Sequence, residues 1–272
     1  MRMPDRFPGA LRAHRDPGDL QADRDPGDLQ ADRDPGDLRA HRDPAGVPDV
    51  PATRGTSLQV RELPGLVRRR LRGDYTVDVW GADHDWLDAV ALALRVAVRP
   101  SAEGLDRVPD DGPAVLVANR RIGIGEALAL AIAVRRHNGR LLRLVGAPDL
   151  APIGPMVRRI GAVHAQAAEI RSLLAAGELV AVPLSPQLRV HRAGTVRPEL
   201  LVPAIELGVP VIPVAILGGE LTGTWRIAVG RPVEAPPATR RRTLAAAELA
   251  DRARAGVQVL LDDSFPTRWS LG

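Results

Sequence analysis

The chain has no cysteine, so disulfide bonds, thiolate nucleophiles and thiolate metal sites are excluded. It also has no lysine: all 37 basic residues are arginine, a side chain suited to bidentate phosphate recognition. Aromatic residues make up 3% of the sequence, with one Tyr and two Phe. Base-stacking platforms of the kind that bind single-stranded nucleic acid are therefore disfavoured. The first residues, Met1-Arg-Met-Pro-Asp5, lack the apolar run of a signal peptide. The most apolar window, Leu200–Leu217, is broken by Pro203, Glu206, Gly208, Pro210 and Pro213, and reads as helix, turn and strand rather than a membrane span. A protein of the cytoplasm, peripheral at most on the inner face of the cell membrane, is expected.

What is present is a 272-residue chain that is 45% hydrophobic, with a core to be built from Leu, Val, Ala and Ile. Its charge is unevenly distributed. Residues 1–50 hold eight Arg and eleven Asp, so the net charge of +4 comes from the remainder. A basic body suits anionic partners such as phosphorylated small molecules, anionic lipid or nucleic acid, or simply a solvated arginine surface.

Residues 15–44 repeat a nine-residue unit, beginning Arg15-Asp-Pro-Gly-Asp-Leu-Gln-Ala-Asp23. With one Leu per copy, these units cannot offset the entropy of ordering, and a disordered tail over 1–50 is expected. A linker with a basic segment follows over 51–74. Leu63–Arg72 is either a short amphipathic helix that touches membrane or a charged edge. The folded domain is expected over 75–265. Asp83 or Asp85 can cap a helix with Trp86, Leu87, Val90, Ala91 and Leu94 on one face.

Apolar strands are expected at Arg95–Arg99, Ala114–Ala118, Leu141–Val145, Leu179–Pro183, Val209–Leu217 and Trp225–Val229. Helices are expected at Glu126–His137, Ala165–Ala176, Pro198–Leu207 and Thr243–Leu261. This alternation predicts an α/β fold, a mostly parallel sheet flanked by helices.

In such sheets ligands bind beyond the carboxyl ends of the strands. Arg120 and Arg121 directly follow one strand, and Arg189 and Arg192 lie in the loop after another. Converging on one edge beside the helix that opens near Gly125, they would form a phosphate site; turned outward, they would only face water. Three residues are candidate bases: Glu126, His164 and His191. Burial would raise the affinity of Glu126 for a proton, whereas a helix N-terminus would lower it. No His, Asp and Glu cluster has metal-ligand spacing, and no Walker or dinucleotide glycine pattern occurs.

Four blocks in order resemble the lysophosphatidate/glycerol-3-phosphate acyltransferase superfamily. Val96–Leu105 with Pro109–Pro113 is similar to the approach to its first motif, and Pro113–Ala131 to that strand-turn-helix itself. Pro152–Val163 is similar to its second block, Ala175–Pro183 to the approach to its third, and Leu207–Ala215 to its fourth. The resemblance implies acyl transfer from acyl-CoA or acyl-carrier protein to a lysophospholipid or glycerol-phosphate hydroxyl. No cofactor is implied beyond that acyl donor, and a lipid or acyl-phosphate ligand is.

The polar positions depart from the family. Its His and Asp places hold Arg120 and Gly125, and its third-block Glu, Gly, Thr and Arg places hold Leu184, Ser185, Pro186 and Gln187. A guanidinium stays protonated and cannot serve as a base. The expectation is a degenerate member whose crevice, with Asn119, Arg120, Arg121, Arg189 and Arg192, holds an anion, its transfer activity lost or altered. A non-catalytic lipid- or phosphate-binding relative is the second reading, and a basic nucleic-acid binder the third.

Overall fold

The computed structural model describes residues 62–73, 76–121, 124–146, 153–189, 191–219, 222–236 and 241–264. The expected repeat tail over 1–50 lies outside these. Contacts divide the chain into Met1–Pro51 and Ala52–Gly272, and all the described elements belong to the second unit.

At the centre of that unit is β2 (Ala114–Ala118), buried at every position. Its Ala, Val and Leu residues alternate between two faces, as the period-2 geometry of a strand requires. Ala114, Leu116 and Ala118 pack into one cluster, against Ala129, Leu130, Ile132, Ala133 and Val134 of α3 (Gly125–Asn138). Val115 and Val117 pack into the other, with Ile170, Leu173 and Leu174 of α5 (Ala167–Ala175) and Leu249, Ala253 and Val257 of α7 (Arg242–Ser264). Helices therefore cover both faces, and the strands are buried hydrophobic runs.

The remaining strands are β1 (Arg99–Glu103), β3 (Leu142–Val145), β4 (Ala162–Val163), β5 (Leu179–Pro183), β6 (Val211–Gly218) and β7 (Thr224–Val229). The sheet order is β1-β7-β6-β2-β5-β3-β4, and every pairing is parallel except β6 with β7. The mostly parallel α/β sheet expected from the sequence is the fold observed. Its functional edge is where β2, β3, β5 and β6 end.

Two elements differ from their expected places. The helix expected at Pro198–Leu207 is a 3-10 turn, Pro198–Leu200, followed by the short helix α6 (Val202–Leu207). The strand expected at Arg95–Arg99 is helix up to Ala97, the end of α2 (His84–Ala97), and β1 begins only at Arg99. The run Ala91-Leu-Ala-Leu94 favours helix, and β1 is held in place by parallel pairing with β7 rather than by its own pattern. Of the two expected caps, Asp83 is the one used, its Oδ1 accepting from Trp86 N at 2.8 Å. The segment Leu63–Leu71 forms α1, which turns Leu66 inward and leaves Val67 and Arg68 exposed. A short helix, α4 (Ile153–Arg159), and the two-residue β4 were not expected from the sequence.

Two arginines brace the sheet away from the functional edge. Arg143 on β3 is 1% exposed, donates to Asp78 (2.5 Å) and Glu178 (3.1 Å), and stacks its guanidinium 5.0 Å from the Trp80 ring centroid. Arg140, past the end of α3, donates to the carbonyls of Pro109 (2.9 Å) and Gly112 (2.7 Å) and to that of Gly177. Burial pulls its guanidinium below the ordinary arginine value, opposed by Glu178, Asp111 and Asp110. α7 approaches β6 closely at Gly256, where a Cβ would lie 2.9 Å from the Pro213 ring.

Candidate functional site

β2 ends in Asn119, which is 5% exposed. Its Nδ2 donates to Ile216 O at 2.8 Å and its Oδ1 accepts from Ile216 N at 2.6 Å. Both faces of the amide are thus spent on the neighbouring strand β6, where they satisfy backbone groups that would otherwise be buried without partners. Asn119 acts as a clasp that fixes where the following turn begins.

Arg121 turns back beneath that turn. Its Nε donates to Glu126 Oε1 at 2.7 Å and its Nη2 to the carbonyl of Gly218. Glu126 lies in the first turn of α3 and is 3% exposed. A carboxylate there complements the positive end of the helix dipole, and the guanidinium supplies the partner that a buried charge requires. The Arg121–Glu126 pair therefore links β2, β6 and α3 just below the edge.

Arg120 is placed differently. It is half-buried, and no hydrogen bond or ion pair joins its guanidinium to another described residue. A Cβ at Gly146, at the end of β3, would sit 4.0 Å from its Nη1. Because β5 lies between β2 and β3, the side chain must cross the carboxyl end of β5 to reach that point. The free backbone N–H groups that open α3 are close by.

Arg120 lines a cavity of about 100 Å³. Its walls include Leu128 and Leu130 of α3, Leu144 and Val145 of β3, Val157 of α4, and Ile160. Among the described lining residues the polar side chains are Asn119, Arg120 and Glu126. A second cavity of about 290 Å³ lies between α2 and α3, and Leu128, Leu144 and Ile160 belong to the walls of both. Three aliphatic side chains partition the two.

The structure thus brings Asn119, Arg120 and Glu126 to one cavity, with Arg121 behind Glu126. It does not place the other sequence candidates among the described lining residues. His164 Nε2 is against Arg158 Nη2, and its backbone N–H donates to Glu169 at 3.0 Å. The carbonyl of His191 accepts from Gln258 of α7 at 3.0 Å. Arg189 and Arg192 are exposed, joined in a turn by Arg192 N donating to Arg189 O at 3.2 Å. No group of three or more His, Asp or Glu able to hold a metal occurs among the described residues.

The cavity itself was not foreseen from the sequence, since its walls come from α3, β3, α4 and the turn after α4, scattered between residues 118 and 216. Asn119, expected as a ligand group, lines the cavity and spends both its amide N–H and its carbonyl on Ile216. The available signal was its position at the end of a fully buried strand, where a backbone clasp is the ordinary use of an amide.

No family model matches the chain. Uncharacterised proteins of Mycobacterium bovis and Mycobacterium tuberculosis are each 31% identical to it, over 59% of this chain and 50% of theirs. An uncharacterised protein of Mycobacterium leprae is also 31% identical, over 59% of this chain and 49% of its own. The chain spans about half the length of these curated relatives. Among solved structures, the 1-acyl-sn-glycerophosphate acyltransferase PlsC of Thermotoga maritima is similar in fold, with a TM-score of 0.51 and 16% identity. That likeness covers 76% of this chain and 90% of PlsC. The seven-stranded, mostly parallel sheet with its flanking helices is therefore an acyltransferase-like α/β fold.

Proposed function

We propose that this crevice binds an anionic amphiphile of the glycerolipid type, with its hydrocarbon chain in the cavity and its acidic head on Arg120. The observation that carries the proposal is an apolar cavity that has, among its lining residues, a half-buried guanidinium without a described partner. An apolar cavity selects hydrocarbon, and an unpaired guanidinium selects phosphate or carboxylate. The N-terminus of α3 adds favourable electrostatics for the same charge.

Acyl transfer at this site would require the acceptor hydroxyl to lose its proton as its oxygen attacks the thioester carbonyl of acyl-CoA or acyl-carrier protein. The carbon–sulfur bond then breaks, and the thiolate takes up a proton. Arg120 can hold the acceptor's phosphate or stabilise the oxyanion, but it cannot accept that proton. Loss of general-base assistance alone costs on the order of 10²–10⁴-fold in rate. We therefore read the chain as a binding protein on an acyltransferase-like fold.

A second reading, residual transfer, is favoured by one feature: Glu126 lines the cavity. Its Oε1 is held by Arg121, which leaves Oε2 as the available proton acceptor.

The test combines calorimetric titration of lysophosphatidate into the full chain with an assay for radiolabelled acyl transfer from acyl-CoA. Binding without turnover, with the binding lost in Arg120→Ala, is the expected result. Turnover that Glu126→Gln abolishes would establish the second reading instead. Absence of both binding and turnover would refute both.

A further inference from the structure

Arg120 is not among the residues that line the cavity between α2 and α3, and the size and lining of that cavity suit an occupant of its own. At about 290 Å³ it is nearly twice an apolar cavity that takes up benzene, on the order of 150 Å³. Most of its walls are aliphatic, including Leu87 and Val90 of α2, Ile132 of α3 and Leu142 of β3. Protein interiors pack to crystal density, and walls without facing atoms forfeit dispersion contacts. An apolar solute of about eight to ten carbons would supply them.

The charged lining residues fix the sign of that solute. They are Asp88, Arg135, Arg136 and Arg140, three guanidinium groups against one carboxylate. Arg135 is spent on Asp88, its Nε donating to Oδ1 at 2.9 Å, and the pair is mostly buried. Arg140 is spent on the carbonyls of Pro109, Gly112 and Gly177. Arg136 remains. It is exposed, and no hydrogen bond or ion pair joins its guanidinium to another described residue. A carboxylate placed there gains a charge-assisted partner, whereas an ammonium would add a fourth cation.

This place is distinct from the crevice. Glu126 and Arg136 stand in the first and last turns of α3, about 15 Å apart along the helix axis. Between the two cavities stand Leu128, Leu144 and Ile160, which line both.

We infer that the α2–α3 cavity binds an apolar monocarboxylic acid, with its carboxylate on Arg136, and that this acid limits the chain length accepted at the crevice. The chain-length limit rests on the amphiphile reading of the crevice; the acid site does not. The crevice cavity, at about 100 Å³, takes only a short chain end, so a longer chain presses on Leu128, Leu144 and Ile160. With the acid behind them, those side chains cannot yield. Occupants on the two sides of one partition therefore oppose each other, and linkage makes the effect reciprocal.

The experiment is calorimetric titration of the full chain with octanoate, octanol and octylamine. Octanoate should bind at least about tenfold more tightly than the other two. Arg136→Ala should weaken octanoate about tenfold, and Ala91→Phe, which fills the cavity from α2, should abolish its binding. Arg120→Ala should leave octanoate affinity unchanged, because the crevice guanidinium is not part of this site. Saturating octanoate should lower the affinity for a long-chain lysophosphatidate about fivefold and leave that for a short-chain one unaffected. Thermal unfolding checks that each variant is folded, and Arg136→Ala, a surface substitution, carries the test if Ala91→Phe is not. Octanoate binding that depends on Arg136, without any lysophosphatidate binding, would support the acid site and refute the crevice reading. Octanoate that binds without changing the long-chain affinity would overturn the limit on chain length. Absence of octanoate binding, equal affinity for octanol, or octanoate binding lost in Arg120→Ala but kept in Arg136→Ala would overturn the acid site itself.

Discussion

Asn119 and Ile216 form a closed pair in which one side-chain amide satisfies both backbone groups of a residue on the adjacent strand, at 2.8 and 2.6 Å. The pair locks the end of β2 to β6 at the point where the chain turns toward Arg120. Asn119→Ala should cost about 2–3 kcal/mol, because the buried N–H and C=O of Ile216 lose their partners. Asn119→Asp should cost at least as much, since a carboxylate cannot donate to Ile216 O. Urea denaturation of both variants measures this, and a loss below about 0.5 kcal/mol would show that the clasp is not structural.

Arg121 and Glu126 form the second brace of the turn. Arg121→Met leaves Glu126 buried without its guanidinium and should destabilise by about 3 kcal/mol. The double variant Arg121→Met/Glu126→Gln should recover part of that loss, because no uncompensated charge remains. A double-mutant cycle in thermal unfolding gives the coupling energy.

Arg120 should behave in the opposite way. It has no described partner, so Arg120→Ala should change stability by less than about 0.5 kcal/mol. The same substitution should abolish binding of an anionic amphiphile. Separation of the two effects is the mark of a ligand-directed side chain; comparable losses of stability and binding would assign Arg120 to the fold.

Leu128 separates the two cavities. Leu128→Ala should join them and shift the binding preference toward longer acyl chains, at a stability cost of about 2 kcal/mol. Titration with a chain-length series of lysophosphatidates reads this directly, and an unchanged length preference would place the acyl chain elsewhere.

Arg143 tests the opposite side of the sheet. Arg143→Met removes the partner shared by Asp78 and Glu178, and should lower stability by about 3 kcal/mol without altering amphiphile affinity. Loss of affinity in the folded variant would mean that the brace also shapes the cavity.

The sheet was legible in the sequence because its central strands are short apolar runs, Ala114–Ala118 buried throughout and Leu179–Pro183 buried up to Val182, which no amphipathic helix would produce. β1 was misplaced because an edge strand containing Pro100 has little pattern of its own and depends on pairing with β7. Arg120 and Glu126 could be read as crevice residues because both adjoin the end of β2. His164, His191, Arg189 and Arg192 were nominated by proximity along the chain, but loop geometry decides where such side chains go. The cavity was not legible, because its walls meet only after α3, β3 and α4 have packed. No helix of the described residues is long and apolar enough to cross a membrane.

The most direct test of the crevice as an amphiphile site is paired calorimetry of lysophosphatidate against chain-free glycerol 3-phosphate, on the unaltered chain and on Arg120→Ala. Lysophosphatidate should bind the unaltered chain at least about 100-fold more tightly than glycerol 3-phosphate, and Arg120→Ala should remove that binding while the protein remains folded. Equal affinity for the two ligands, or lysophosphatidate binding that survives Arg120→Ala intact, would contradict an amphiphile site at this crevice.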